Sequence, residues 1–170
     1  MPGDVSEDGG LVRAAAAGDR PAFGVLYERY ARMVHAILLA RVRPGDAEDL
    51  VQEVFLSAMR QLRGLRDPEG FGGWLGAIAR NKAVDYFRAA RKLTSIEDAP
   101  VQRAAADPDA FLVLDRIRSL PEAYRETLIM RLVEGMTGPE IAERTGLTQE
   151  SVRVNLCRGM KMLREVLEMK

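Results

Sequence analysis

The chain has 170 residues, 47% of them hydrophobic and 29% charged, enough to bury one compact domain or two small ones and too apolar for a disordered tail. Its 25 Lys and Arg balance 25 Asp and Glu, so any binding to a polyanion must come from local patches rather than net charge. One Cys (Cys157) and one His (His35) exclude a disulfide framework and a Cys/His zinc site built from this chain alone.

The opening "MPGDVSEDGG" is acidic and polar without an apolar leader, and no later run approaches a membrane span, so a cytoplasmic location is expected. Apolar residues recur at helical spacing and no stretch alternates with period two, which makes the expected fold class all-α. Helices are expected over about 8–18, 20–41, 46–63, 71–92, 109–118, 121–134, 138–145 and 149–168. Asp46, opening "DAED", is the expected N-cap of the third, with Pro44-Gly45 punctuating the connection before it and Arg66-Asp67-Pro68 the next one.

In "DAEDLVQEVFLSAMRQL" (46–62), Leu50, Val51, Val54, Phe55, Ala58 and Leu62 form the face to be buried. The opposite face carries Glu48, Asp49, Gln52, Glu53 and Arg60, with Leu56 in its middle. An isolated exposed Leu is ordinary surface; an apolar side chain ringed by charge is also how an interface anchors and steers a protein partner. Both readings stand at this point, and such a surface would repel DNA.

"WLGAIARNKAVDYFRAARK" (74–92) has a different load: from residue 80 to 92 it holds five cations against one acid, Asp85. On a wheel of about 100° per residue, Leu75, Ala79, Ala83, Tyr86 and Ala90 share an arc of about 80°, the core face. Arg80, Arg88, Arg91 and Lys92 share another of about 120°, with Asn81 inside it and Trp74 at its edge. A solvated basic face would look like this; so would a phosphate track beside an aromatic platform, as single-stranded DNA requires. The wheel does not choose between them.

Residues 94–108 break the pattern with Ala, Asp, Pro and Ser and read as a flexible acidic linker. This divides the chain into a first helical module at 1–93 and a second at 109–170. In the second, Thr137-Gly-Pro-Glu140 is a capping box, Gly146 marks a turn, and Thr148 caps a long helix with Val152, Leu156, Leu163 and Leu167 inward. That is the spacing of a DNA-reading helix-turn-helix, which a plain helical hairpin would match less completely. Gln149, Glu150, Ser151, Arg153 and Val154 would lie near base edges, and Asn155, Arg158 and Lys161 within reach of bases or phosphates.

Taken in order, "AAAAGDRPAFGVLYERYARMV", "DAEDLVQEVFLSAMRQL", "FGGWLGAIARNKAVDYFRAARK" and "LPEAYRETLIMRLVEGMTGPEIAERTGLTQESVRVNLCRG" resemble the successive conserved regions of the extracytoplasmic-function sigma factors, small two-domain members of the sigma-70 family. The resemblance covers nearly the whole chain except the linker. It implies a sigma2-like helical bundle and a sigma4-like helix-turn-helix domain. It also implies that Asp49, Gln52, Glu53 and Leu56 dock on the β′ clamp helices of core RNA polymerase, the second domain meeting the β flap. The loop "GLRDPEGFG" (64–72) with Trp74, Arg80, Asn81, Asp85, Arg88, Arg91 and Lys92 would capture the melted strand of the −10 promoter element, one base flipped into a pocket. Thr148, Gln149, Glu150, Ser151, Arg153, Val154, Asn155, Arg158 and Lys161 would read the −35 element as duplex.

The same resemblance implies an anti-sigma factor as a further partner, a linker lying in the RNA exit channel, and no cofactor, metal, small-molecule substrate or catalysis in this chain. One departure stands out: in "SVRVNLCRGM" (151–160), Val154, Asn155, Cys157 and Met160 stand where the family usually has polar or basic residues. Two expected cations are missing, which predicts weaker or altered −35 binding with a flatter salt dependence. A lone helix-turn-helix regulator would leave the acidic Leu56 face and the basic helix without a purpose. A decoy that only titrates an anti-sigma factor would fit the depleted recognition helix. An enzyme would need a cluster of nucleophile, base or metal ligands, and the sequence suggests none.

Overall fold

The computed structural model describes residues 5–93 and 108–169. The first group of helices is α1 (Val5–Ala16), α2 (Arg20–Leu39), α3 (Pro44–Gln61) and α4 (Phe71–Leu93), with 3₁₀ turns at Leu62–Gly64 and Pro68–Gly70 between the last two. The second group is α5 (Pro108–Arg118), α6 (Glu122–Leu132), α7 (Gly138–Thr145) and α8 (Gln149–Glu168). The all-α expectation holds, and there are no strands among the described residues. The linker expected at 94–108 lies outside the described residues apart from Pro108, which opens α5.

The helix starts follow local chemistry. Asp19 caps α2 by accepting the Ala22 N–H at 3.1 Å, with Pro21 in the first turn. At α3 the expected start is corrected: the N-cap is Arg43, Pro44 is in the first turn, and Asp46 is already helical. Proline's fixed φ suits a first helical position, so Pro44 starts the helix it was expected to precede. The Asp46 carboxylate instead accepts the Tyr86 hydroxyl of α4, tying α3 to α4.

The first core is built from Leu26, Met33, Val34, Ile37, Val54, Phe55, Phe71 and Leu75, all buried. Tyr30 and Phe71 meet edge to face at 5.0 Å. Helix α2 is central, touching α1, α3 and α4 on one side and α6 and α7 on the other. Its end therefore has no exposed face: every residue from Ala36 to Ala40 is buried. Leu114, Ile117, Leu128, Ile129, Met130 and Ile141 of the second group join the same continuous apolar cluster.

In the second group the capping box forms as expected. The Thr137 hydroxyl accepts the Glu140 N–H at 3.2 Å and the Glu140 carboxylate accepts the Thr137 N–H at 2.7 Å. Gly146 ends α7 at φ +78°, a left-handed conformation that side chains with a Cβ adopt at a cost. Thr148 then caps α8 by accepting the Ser151 N–H at 3.1 Å. Val152 and Leu163 point inward as expected and Leu156 is half-buried, but Leu167 is exposed near the end of α8, beyond its partners. Cys157 is an exposed thiol on α8.

Candidate nucleic-acid and polymerase interfaces

On α3 the four predicted docking residues come together on one open face. Asp49, Gln52, Glu53 and Leu56 are all exposed, and Leu56 keeps 48% of its surface in water. Met59, one turn further on, is as open at 49% and extends the apolar centre of the face. Its i+3 spacing from Leu56 was a sequence signal for that extension.

On α4 the core face is the expected one: Leu75, Ala79 and Ala83 are buried, with Tyr86 and Ala90 half-buried. Asn81, Asp85, Arg88, Arg91 and Lys92 are exposed, and Arg88 stands 4.0 Å from Asp85 one turn away. Trp74 is half-buried against Phe71, ring centroids 5.8 Å apart, so most of its surface serves packing. The exposed aromatic ring among these cations is Phe87, joined by Val84. At about 100° per residue Val84 falls within the basic arc and Phe87 just outside it, beside Arg80, so the same wheel placed both next to the cations.

Arg80 does not stand free. Its guanidinium makes a two-pronged pair with Glu126 of α6, Nε at 3.0 Å and Nη2 at 2.8 Å. Arg41, just beyond α2, reaches the same carboxylate at 2.8 Å and also pairs with Glu122. Burial pushes the Glu126 carboxyl up, but the Arg80 hydrogen bonds and the charges of Arg80 and Arg41 outweigh it and leave its pKa below the usual value. The same pair raises Arg80. Glu126 heads an otherwise apolar buried run, Thr127 to Met130 aside from the threonine hydroxyl, and a lone acid there was the available sign of a buried ion pair.

Three further contacts bind the groups of helices together. Arg118 of α5 donates to the Leu39 carbonyl at 3.0 Å and to that of Val42, satisfying orphan carbonyls at the end of α2. His35 of α2 pairs with Glu134 beyond α6, and this hydrogen bond raises the histidine pKa against the opposing effect of burial. Arg144 of α7 donates to the Arg29 carbonyl at 3.1 Å and lies over the Tyr30 ring at 5.4 Å. Beside it, Gly72 in the first turn of α4 sits against the Arg144 carbonyl where a Cβ would collide.

At the helix-turn-helix, Thr148, Gln149, Glu150, Ser151, Arg153, Arg158 and Lys161 are exposed along α8, whereas Val154 and Asn155 are half-buried. Thr148 and Ser151 also bond to each other, hydroxyl to hydroxyl at 2.8 Å. A shallow groove between the starts of α7 and α8 is lined by Pro139, Gln149, Glu150, Arg153 and Leu156. No group of three or more His, Cys, Asp or Glu among the described residues is arranged to hold a metal ion. No helix among them is long and apolar enough to cross a membrane.

Family profiles for sigma-70 region 2 and sigma-70 region 4 match residues 26–93 and 110–163. The RNA polymerase sigma factor CarQ of Myxococcus xanthus is 37% identical over 160 residues, covering 88% of this chain and 91% of CarQ. This chain is an extracytoplasmic-function sigma factor of the sigma-70 family. That family consists of transcription initiation factors rather than enzymes. The sigma factor BldN of Streptomyces coelicolor is 30% identical across 92% of the chain, which spans 64% of BldN. Among solved structures, CnrH in complex with the cytosolic domain of CnrY superposes with a TM-score of 0.64 at 27% identity, covering 97% of this sigma factor and 98% of CnrH. The sigma factor RpoE of Bartonella quintana, solved with the anti-sigma factor NepR, shares the fold at a TM-score of 0.51 and 21% identity, over 86% and 96% of the two chains.

Proposed function

We propose that this sigma factor binds core RNA polymerase through Asp49, Gln52, Glu53 and Leu56 and selects promoters with two DNA-binding elements. The loop at 64–72 and helix α4 hold the melted −10 strand, and the α7–α8 unit reads −35 duplex. The working units are 1–93 and 109–170, joined by 94–108. The chain acts in the cytoplasm, performs no chemistry of its own, and is restrained by an anti-sigma factor. Bond formation belongs to the polymerase; sigma supplies binding energy that selects and opens the promoter.

The observation that carries the reading is the pairing of two unlike exposed faces on neighbouring helices. An acid-ringed apolar centre on α3 suits a protein partner. On α4 the cations Arg88, Arg91 and Lys92 alternate with exposed Val84 and Phe87, which supplies charge for phosphates and a ring face for unstacked bases. Phe87 is the better stacking platform, with Trp74 supporting the helix from the core side.

The test is the affinity of the purified chain for bacterial core RNA polymerase, beside an Asp49→Ala/Leu56→Ala variant. Tight binding lost in the variant, with initiation from a cognate promoter, supports the reading. Absence of binding by the wild type overturns it and leaves a decoy or a lone DNA-binding protein.

A further inference from the structure

Arg80 is a −10-binding position in the reading above, yet its guanidinium is already held by a carboxylate pair of the other DNA-binding half. Both prongs go to Glu126, at 3.0 and 2.8 Å, and Arg41 completes a cluster with Glu122 and Glu126. A carboxylate offers an arginine the same planar two-oxygen geometry that a phosphate does. Glu126 is only 9% exposed while the Arg80 side chain keeps 40% of its surface in water, so the carboxylate end of the pair is shielded from salt more than in a fully exposed bridge.

The obstruction extends beyond one side chain. The loop that would hold the flipped base is in contact with α7 through Gly72 and the Arg144 carbonyl. A cleft there is walled by Glu69 and Gly70 from the loop, Gly73 from the first turn of α4, and Glu143, Thr145 and Gly146 from the helix-turn-helix. The two DNA-reading parts thus face each other. A compact chain of this length is about 40 Å across, whereas elements centred near −10 and −35 lie roughly 85 Å apart along B-form duplex. The arrangement seen here cannot touch both elements at once. The fourteen residues 94–107 can bridge at most about 50 Å when extended, enough to let the halves part.

The geometry points to an intramolecular latch: Glu126, with Glu122, stands in for DNA phosphate on Arg80 and Arg41 and holds the chain closed, so that single-stranded DNA and α6 compete for the same arginine. The inference rests on the −10 assignment for its consequence, but not for the closure itself. Promoter binding then carries the cost of opening, and any partner that seats between the halves changes that cost. The apparent affinity of the free chain for DNA is lowered by the fraction of molecules that are closed.

The test uses the full chain labelled at Cys157 on α8 and at Arg63→Cys beyond α3, reading the distance between labels and the affinity for a fluorescent −10 single strand together. In the wild type, saturating oligonucleotide lengthens the distance; binding with no change in distance overturns the latch. Glu126→Gln lengthens the distance without DNA and tightens oligonucleotide binding about three- to tenfold. Glu126→Asp, which keeps the charge but shortens its reach, falls between. An unchanged distance in Glu126→Gln overturns the closure, and a longer distance without tighter binding overturns the competition. If no form binds the oligonucleotide at low salt, the −10 assignment fails while the distance in Glu126→Gln still decides whether the latch exists.

Discussion

Helices α3 and α4 are neighbours of similar length that present opposite surfaces, and they differ most in what already occupies them. The acidic face of α3 is open: Asp49, Gln52, Glu53, Leu56 and Met59 are exposed. The basic face of α4 is partly taken, because Arg80 is paired with Glu126 while Arg88 and Phe87 remain exposed. Under the proposed function, an open surface and one engaged by its own chain would set an order of events: protein docking would need no rearrangement, whereas full DNA contact would.

The largest effect is expected on the open face. Leu56→Arg should weaken core polymerase binding at least about 100-fold, the cost of roughly 3 kcal/mol for losing a central anchor and burying a charge. Because Leu56 keeps about half of its surface in water in the free chain, the melting temperature should stay within the scatter of surface substitutions; a large drop in thermal stability would mean that the face is not open. Gly72→Val attacks the occupied side by forcing a side chain against the Arg144 carbonyl. It should cost about 1–3 kcal/mol of stability, measured by denaturant unfolding, and an unaltered midpoint would show that the two halves do not press together there.

Phe87→Ala should reduce affinity for a −10 single strand by roughly 1–2 kcal/mol, about tenfold, without altering the fold. Trp74→Ala should instead lower stability, through lost packing on Phe71. Observing the reverse pattern would return the stacking role to Trp74. On α8, Asn155→Arg/Met160→Arg should strengthen −35 duplex binding and steepen its salt slope by about one unit per added phosphate contact. An unchanged slope would mean that these positions do not face the backbone of the duplex.

The smallest effect is a pH dependence of closure. His35 has a folded pKa raised above its ordinary 6.5, chiefly by its hydrogen bond to Glu134, with Glu48 also raising it and burial opposing. Arg32 stands nearby, donating to the Glu134 carbonyl at 3.4 Å. The stabilisation is therefore fully present below about 6.5 and is lost as pH rises through the folded pKa. Glu126 contributes the opposite dependence, present above its ordinary 4.5 and lost as pH falls through its depressed folded pKa. Thermal melts should show the alkaline loss in the wild type and its disappearance in His35→Ala; an identical slope in both would remove His35 from the interface.

Most helices were legible because their signals are local. Thr137 with Glu140, Thr148 and Gly146 specify starts and stops through groups three or four residues apart, and these formed as read. The miss at Asp46 came from two competing local rules, an acidic cap and a first-turn proline, and the proline won while the acid found a partner on α4. On the candidate faces, periodicity placed the α3 residues well because burial there is one-sided. Trp74 and Phe87 were harder to rank, since both lie on or beside the basic arc and only packing against Phe71 distinguishes them.

What the sequence determined alone is the all-α fold, the order of the conserved regions and the segregation of charge, all set by short-range periodicity, capping and composition. What only the tertiary structure decided is how the halves meet. The buried run Ala36–Ala40, the Arg118 cap on the end of α2, and the Arg80–Glu126–Arg41 cluster depend on contacts between residues as far apart in sequence as Arg41 and Glu126. No periodic pattern encodes such a pairing, because each arginine and glutamate carries the same local signal whether it faces water, DNA or the other half of its own chain.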